Sequence, residues 1–226
     1  MAMKPIIYPE VGIEIAEIHV SKNKKGYVYF ISTDGEYFGL YPYDAVLQHQ
    51  ITKQTNFSEE IINSFRKTVE SMVIRSIALQ FATYKPRTEK QVRESLSKKG
   101  FENQSIQEAI DFLTSFSYLN DEEYAINFVK ASLEKKPMSK KVLRVTLQTK
   151  GIPSIIIENI LDEYYPKENI TELALKVVEK RFRKKSEYTK ELIEKELQYL
   201  LRKGFSYSVV KEIRMLLIAK YLNKTY

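Results

Sequence analysis

Side chains able to do nucleophilic, acid-base or metal chemistry are few and scattered in this 226-residue chain. It has two histidines and no cysteine, so there is no thiolate nucleophile, no thiolate metal ligand and no disulfide framework. His19 falls in a run of alternating residues and His49 in a short polar helix. Neither has a second ligand at metal spacing, so both read as surface or packing residues. The carboxylate pairs Glu59-Glu60 and Glu122-Glu123 open predicted helices, where the positive end of the helix dipole accounts for them. No glycine-rich phosphate loop of either common kind is present. The pattern is that of a binding protein, not an enzyme, with no cofactor and no metal.

What the chain can do is attract anions. Its net charge is +7, but residues 1–66 hold six Lys/Arg against eight Asp/Glu and contribute −2, so the remainder carries +9. Lys135 to Lys150 has six basic residues and no acidic one, and five of the six residues from Lys180 to Lys185 are basic. Such clusters neutralise phosphates or an acidic protein surface; they also keep helices solvated. Sixteen tyrosines could supply base-stacking platforms, above all Tyr84, Tyr118, Tyr188 and Tyr207 beside basic residues. Their nearness to apolar stripes favours packing with the hydroxyl left wet. Helix–glycine–helix segments at Gly100, Gly151 and Gly204 evoke a helix-turn-helix DNA reader. The residues after each glycine are poor in the Arg, Asn and Gln that read base edges.

The elements that position these cations are repeated. YKPRTEKQVRESLSKKGF at Tyr84 to Phe101 recurs in weaker form as KKPMSKKVLRVTLQTKGI at Lys135 to Ile152. In each copy a proline stops one helix, a hydroxyl residue two positions on (Thr88 or Ser139) caps the next, and a glycine fourteen positions on suits a left-handed helix end. Thr88 with Gln91 makes a capping box, whereas Ser139 with Val142 gives a single cap. Gly204 marks a third copy that lacks the proline. Ser186 takes the proline's place there, eighteen residues before the glycine, which adds about one helical turn. A period near fifty residues is that of a helical repeat array.

Ahead of the repeats, alternation from Gly12 to Val20, the β-rich run YVYFIS and EYFGLY after the Asp34-Gly35 turn predict a three-stranded antiparallel sheet ending near Pro42. A short helix over Tyr43 to Gln50 follows, then a long one capped by Asn56 or Ser58 and reaching Phe81. The fold class is mainly α: three tandem three-helix-bundle repeats after a small antiparallel β-sheet. The expected divisions are 1–52 for the sheet region, 53–118 for the linking helix and first repeat, 119–166 for the second and 167–226 for the third. Helices opening at Asn120 with Glu123, carrying Tyr124, Phe128 and Leu133, and at Asn169 with Glu172 start the second and third repeats. At 43% hydrophobic residues the chain is expected to fold. No apolar run reaches the roughly 18 residues of a membrane helix, and no signal-peptide pattern opens it; a cytoplasmic location is expected.

These residues resemble the RecX family, regulators of the RecA recombinase. YKPRTEKQVRESLSKKGF looks like that family's first-repeat signature, SYLNDEEYAINFVK at Ser117 to Lys130 like its acidic-aromatic helix opening, and KKPMSKKVLRVTLQTKGI like its second repeat. The resemblance runs from roughly Ile13 to the C-terminus, and the order and spacing of the motifs carry it. Two positions depart: Ser117 stands where a glycine is common, and Pro137-Met138 where a glycine-containing turn is usual. The resemblance implies a cytoplasmic regulator, expected as a monomer, that binds the groove of the RecA filament on single-stranded DNA. It would inhibit the filament's ATPase and strand exchange in homologous recombination, DNA repair and the SOS response. The residues expected to meet the filament or its DNA form a basic face: Arg87, Arg93, Lys98, Lys99, Lys140, Lys141, Arg144, Lys150, Arg181, Arg183, Lys184, Arg202 and Lys203. The competing reading is a free-standing, non-sequence-specific DNA-binding protein built of the same repeats. The mixed strand faces and −2 balance of the N-terminal sheet suggest a role other than nucleic-acid binding.

Overall fold

The computed structural model describes residues 6–135, 137–166, 170–183 and 188–222; Lys184, Ser186 and Asn169 lie outside them. The chain divides into two compact units, Met1–Leu119 and Asn120–Tyr226. It is mainly helical, with a three-stranded antiparallel sheet at the N-terminal end.

In the first unit, β1 (Ile15–Val20), β2 (Tyr27–Ser32) and β3 (Tyr37–Pro42) form an antiparallel meander in that order. β1 starts later than the alternation predicts because Gly12 has φ +82 and donates its N–H to the Phe57 carbonyl (3.2 Å), away from the ladder. Val28, Phe30 and Ser32 of β2 face inward, and Tyr27, Tyr29 and Ile31 alternate with them on the other face. The inward face packs on α1 (Tyr43–Gln48) and on the first half of α2 (Glu59–Tyr84) through Ala45, Val46, Ile62, Phe65, Val69 and Val73. His49, at the end of α1, bonds the Thr68 hydroxyl at 2.8 Å and meets the Phe65 ring edge-on, so it is a packing histidine.

Ser58, not Asn56, caps α2, accepting from the Ile61 N–H. The helix runs three residues past Phe81 and stops where Pro86 forces Lys85 into an extended conformation. Its second half joins α3 (Glu89–Ser97) and α4 (Asn103–Ser115) in a three-helix core of Ile74, Ala78, Val92, Leu96, Ile106, Ile110 and Leu113. Both hydrogen bonds of the predicted capping box at Thr88 and Gln91 form. At the end of α4, the Ser117 N–H bonds the Thr114 carbonyl and the Tyr118 N–H the Leu113 carbonyl. This helix stop wants a left-handed residue, and Ser117 supplies it at φ +58, the conformation a glycine would take more cheaply.

The second unit holds two three-helix cores. One comprises α5 (Asp121–Lys135), α6 (Lys140–Thr149) and α7 (Ser154–Tyr164); the other α8 (Ile170–Phe182), α9 (Lys190–Arg202) and α10 (Tyr207–Tyr221). Asn120 accepts from the Glu123 N–H at 2.9 Å. The buried face of α5 is Ala125, Val129 and Ser132. The predicted stripe of Tyr124, Phe128 and Leu133 flanks it half-buried, because the small side chains let the neighbouring helices approach. α9 has 13 residues against 9 in α3 and 10 in α6, which realises the expected extra turn. Its cap is Thr189, whose hydroxyl accepts from Leu192.

Candidate functional site

Each repeat ends its second helix in the same way. Gly100, Gly151 and Gly204 have φ of +88, +91 and +77, and the N–H groups of each glycine and of the next residue turn back to that helix's last carbonyls. The residue after the glycine is apolar and packs on the helix it has left: Phe101, Ile152 and Phe205. Just before each glycine stand Lys98 and Lys99, then Lys150, then Arg202 and Lys203. Cations suit the negative end of a helix dipole, and the turn holds them at the surface, Lys98 and Arg202 exposed and the other three half-exposed. The sequence pattern thus becomes three basic turns of one geometry.

The candidate cations divide by whether the protein already neutralises them. Arg93 donates to Glu89 (2.8 Å) and to Gln107 (2.6 Å). Arg144 makes a two-pronged contact with Glu158, Nε at 2.5 Å and Nη2 at 2.7 Å. That hydrogen bond raises the Arg144 pKa and holds the Glu158 carboxyl below the usual carboxylate range. Lys140 is paired with Asp162 at 2.5 Å. Arg181 grips Glu196 through two hydrogen bonds, which raise its pKa. Arg87 sits over Phe81, its guanidinium carbon 4.1 Å from the ring centroid. Lys98, Lys99, Lys141, Arg183, Arg202 and Lys203 have no ion-pair partner among the described residues.

The pairs through Arg93 and Arg144 tie the second helix of a repeat to its third. The third repeat makes the same tie with its polarity reversed, Arg214 of α10 donating to Glu194 of α9 at 2.6 Å. One participant escapes sequence reasoning. Tyr199 on α9 carries the Arg181 guanidinium 4.1 Å from its ring centroid, with Lys203 at 5.5 Å and Arg202 at 5.9 Å. A tyrosine three and four residues before two cations, opposite a third, is the signal that finds it. Of the four tyrosines singled out from sequence, Tyr188 does pack, stacked on Tyr221 at 4.4 Å. Tyr84 and Tyr207, at 83% and 71% exposed, do not, because each lies at a helix end beyond the reach of the apolar stripe.

Among the described residues no group of three or more His, Asp or Glu could hold a metal, and no helix is long and apolar enough to cross a membrane. Two family models match: RecX, first three-helix domain, over residues 75–113, and RecX, third three-helix domain, over residues 168–213. The chain is 30% identical over 203 residues to regulatory protein RecX of Clostridium botulinum (strain Eklund 17B / Type B), covering 88% of this chain and 94% of that protein. To regulatory protein RecX of Bacillus cytotoxicus it is 32% identical, over 87% of this chain and 74% of the relative. A crystal structure of regulatory protein RecX superposes with a TM-score of 0.65 at 25% identity, covering 89% of this chain and 98% of the other. RecX from Lactobacillus salivarius superposes at 0.54 with 28% identity, over 66% of this chain and 97% of that one.

Proposed function

We propose, from the premise that this chain belongs to the RecX family of regulatory proteins, that it binds the RecA filament on single-stranded DNA. Bound there, in the cytoplasm and as a monomer, it restrains the filament's ATP turnover and strand exchange. The observation that carries this reading is the repetition of the basic glycine turn at Gly100, Gly151 and Gly204. A filament presents the same acidic or phosphate-bearing surface at regular intervals, and a tandem array of like units meets a periodic target with additive contacts. The candidate list narrows accordingly. Lys98, Lys99, Lys141, Arg183, Arg202 and Lys203 lead it, whereas Arg93, Lys140, Arg144 and Arg181 spend their charge inside the protein.

The test is ATP turnover by RecA on single-stranded DNA, titrated with this protein well below coverage of the DNA. Inhibition is expected there, and the double variants Lys98→Glu/Lys99→Glu and Arg202→Glu/Lys203→Glu should each weaken it with folding intact. Unchanged inhibition by both variants at near-physiological salt would remove the basic turns from the interface. Inhibition only once the DNA is saturated would favour a free-standing DNA-binding protein instead.

A further inference from the structure

The N-terminal sheet has a second face. Its inward side is filled by the core, but on the other side each strand contributes one aromatic ring to a row. His19 of β1 stacks on Tyr29 of β2 at 5.2 Å between centroids with planes 21° apart, and Tyr29 meets Tyr37 of β3 at 5.3 Å. His19 and Tyr29 are directly paired across the ladder. Tyr37 pairs with Ile31 and so reaches Tyr29 on the diagonal. The row ends on an edge strand in a ring that is 48% exposed and has no further aromatic neighbour among the described residues.

Cross-strand aromatic pairs stabilise a sheet, and that role needs neither an open end nor a particular charge beside it. Here the β1–β2 turn, SKNKKG, brings Lys22, Lys24 and Lys25 to one end of the same sheet. None has an ion-pair partner among the described residues. Lys24 places its ammonium 3.5 Å from the centroid of Tyr27, an outward-facing ring of β2. The −2 balance of this region hides the arrangement: Asp34 and Glu36 belong to the opposite, β2–β3 turn, next to Tyr37, and Glu17, which pairs with Ile31 on this face, is bonded to His19 Nε2, while the lysines stand at the His19 and Tyr27 end. Rings that extend a stack, next to cations, match the two chemistries of a single nucleic-acid strand, a π-face on every base and a phosphate between bases.

We infer that the outer face of this sheet, with Tyr37, Tyr29 and His19 as stacking surface and the Lys22–Lys25 turn as phosphate contact, binds single-stranded DNA. The contact is sequence-tolerant and separate from the basic turns of the helical repeats. It goes beyond the filament reading and is measured without the recombinase, so either can fail while the other stands.

The experiment measures binding of the full chain to a short oligothymidylate by anisotropy, with ultraviolet crosslinking and mass spectrometry to locate the contact. Tyr29→Thr/Tyr37→Thr, which keeps β-forming residues, is expected to bind roughly tenfold or more weakly, while Tyr29→Phe/Tyr37→Phe stays within about twofold. Lys22→Glu/Lys25→Glu lies on an exposed turn away from the core; it should weaken binding and flatten its salt dependence. Crosslinks are expected within residues 19–37 and should persist in Arg202→Glu/Lys203→Glu. Unchanged affinity of the threonine and lysine variants, crosslinks confined to the helices, or preference for oligouridylate or an acidic peptide over oligothymidylate would overturn the inference.

Discussion

The first two repeats and the third solve one packing problem in different ways. Counting back from the glycine, the second helix buries positions four and eight: Leu96 and Val92 in the first repeat, Leu147 and Leu143 in the second. In the third repeat the same count gives Leu200 and Glu196, and Glu196 is as buried as the aliphatics, at 1% exposed. The charge is tolerated because Arg181 of α8 reaches both carboxylate oxygens and because the longer α9 adds Ile193 and Leu197 to the core. Surroundings of the glycine differ as well. A Cβ on Gly100 would meet nothing within 4 Å, whereas on Gly204 it would sit 2.5 Å from Ser139 Oγ and 2.7 Å from Val142 Cγ2. There the Ser139 N–H also bonds the Lys203 carbonyl, so the third repeat's turn rests on the cap of the second repeat's middle helix. Identical local geometry therefore carries unequal structural duty.

The largest effect that would sharpen this contrast is at the glycines. Gly100→Ala should cost about 1 kcal/mol from the left-handed backbone alone, while Gly204→Ala adds a steric clash and should cost about 3 kcal/mol. Urea unfolding compares them, and equal losses would mean that Ser139 and Val142 give way freely. Next comes the buried carboxylate. Glu196→Ala should cost about 1–2 kcal/mol, less than a fully buried pair because Arg181 is 41% exposed. Glu196→Leu, which restores the pattern of the other repeats, should be close to neutral. A large loss with leucine would show that the ion pair specifies the third repeat. The smallest effect concerns Glu158. Its pKa is depressed in the folded state, so its contribution is present above the ordinary glutamate range and disappears as pH falls through the folded value. The difference in thermal midpoint between the wild type and Glu158→Gln should accordingly be small at neutral pH and vanish on acidification.

The comparison also shows what the sequence makes legible. Caps at Thr88 and Ser139, the glycine stops and the strands at Tyr27 and Tyr37 are decided by local chemistry within a few residues, and they form where the pattern places them. Nothing near Glu196 in the sequence signals its burial, because its partner, Arg181, lies in another helix. Likewise the 13 candidate cations look equivalent in the sequence. Only the fold pairs Arg144 with Glu158 and Lys140 with Asp162 and leaves Lys98 and Arg202 facing outward. The aromatic row on the sheet is hidden for the same reason, since its three rings meet only once the strand register is set. Ser117 is the converse case: a helix stop survives without the glycine it favours, because two backbone hydrogen bonds fix the left-handed turn.

Helix α2 is a single rod of 26 residues, about 39 Å long, with one half in the sheet's core and the other in the first three-helix core. The match to the first family domain begins at residue 75, midway along it. A truncation that discards the sheet would strip cover from Ile62, Phe65, Val69 and Val73 together, turning the front half of a structural rod into a sticky peptide. For heredity the consequence is that the sheet cannot be shed or exchanged like a bead on a string. Losing it leaves Ile62, Phe65, Val69 and Val73 uncovered unless the leading half of the helix changes with it.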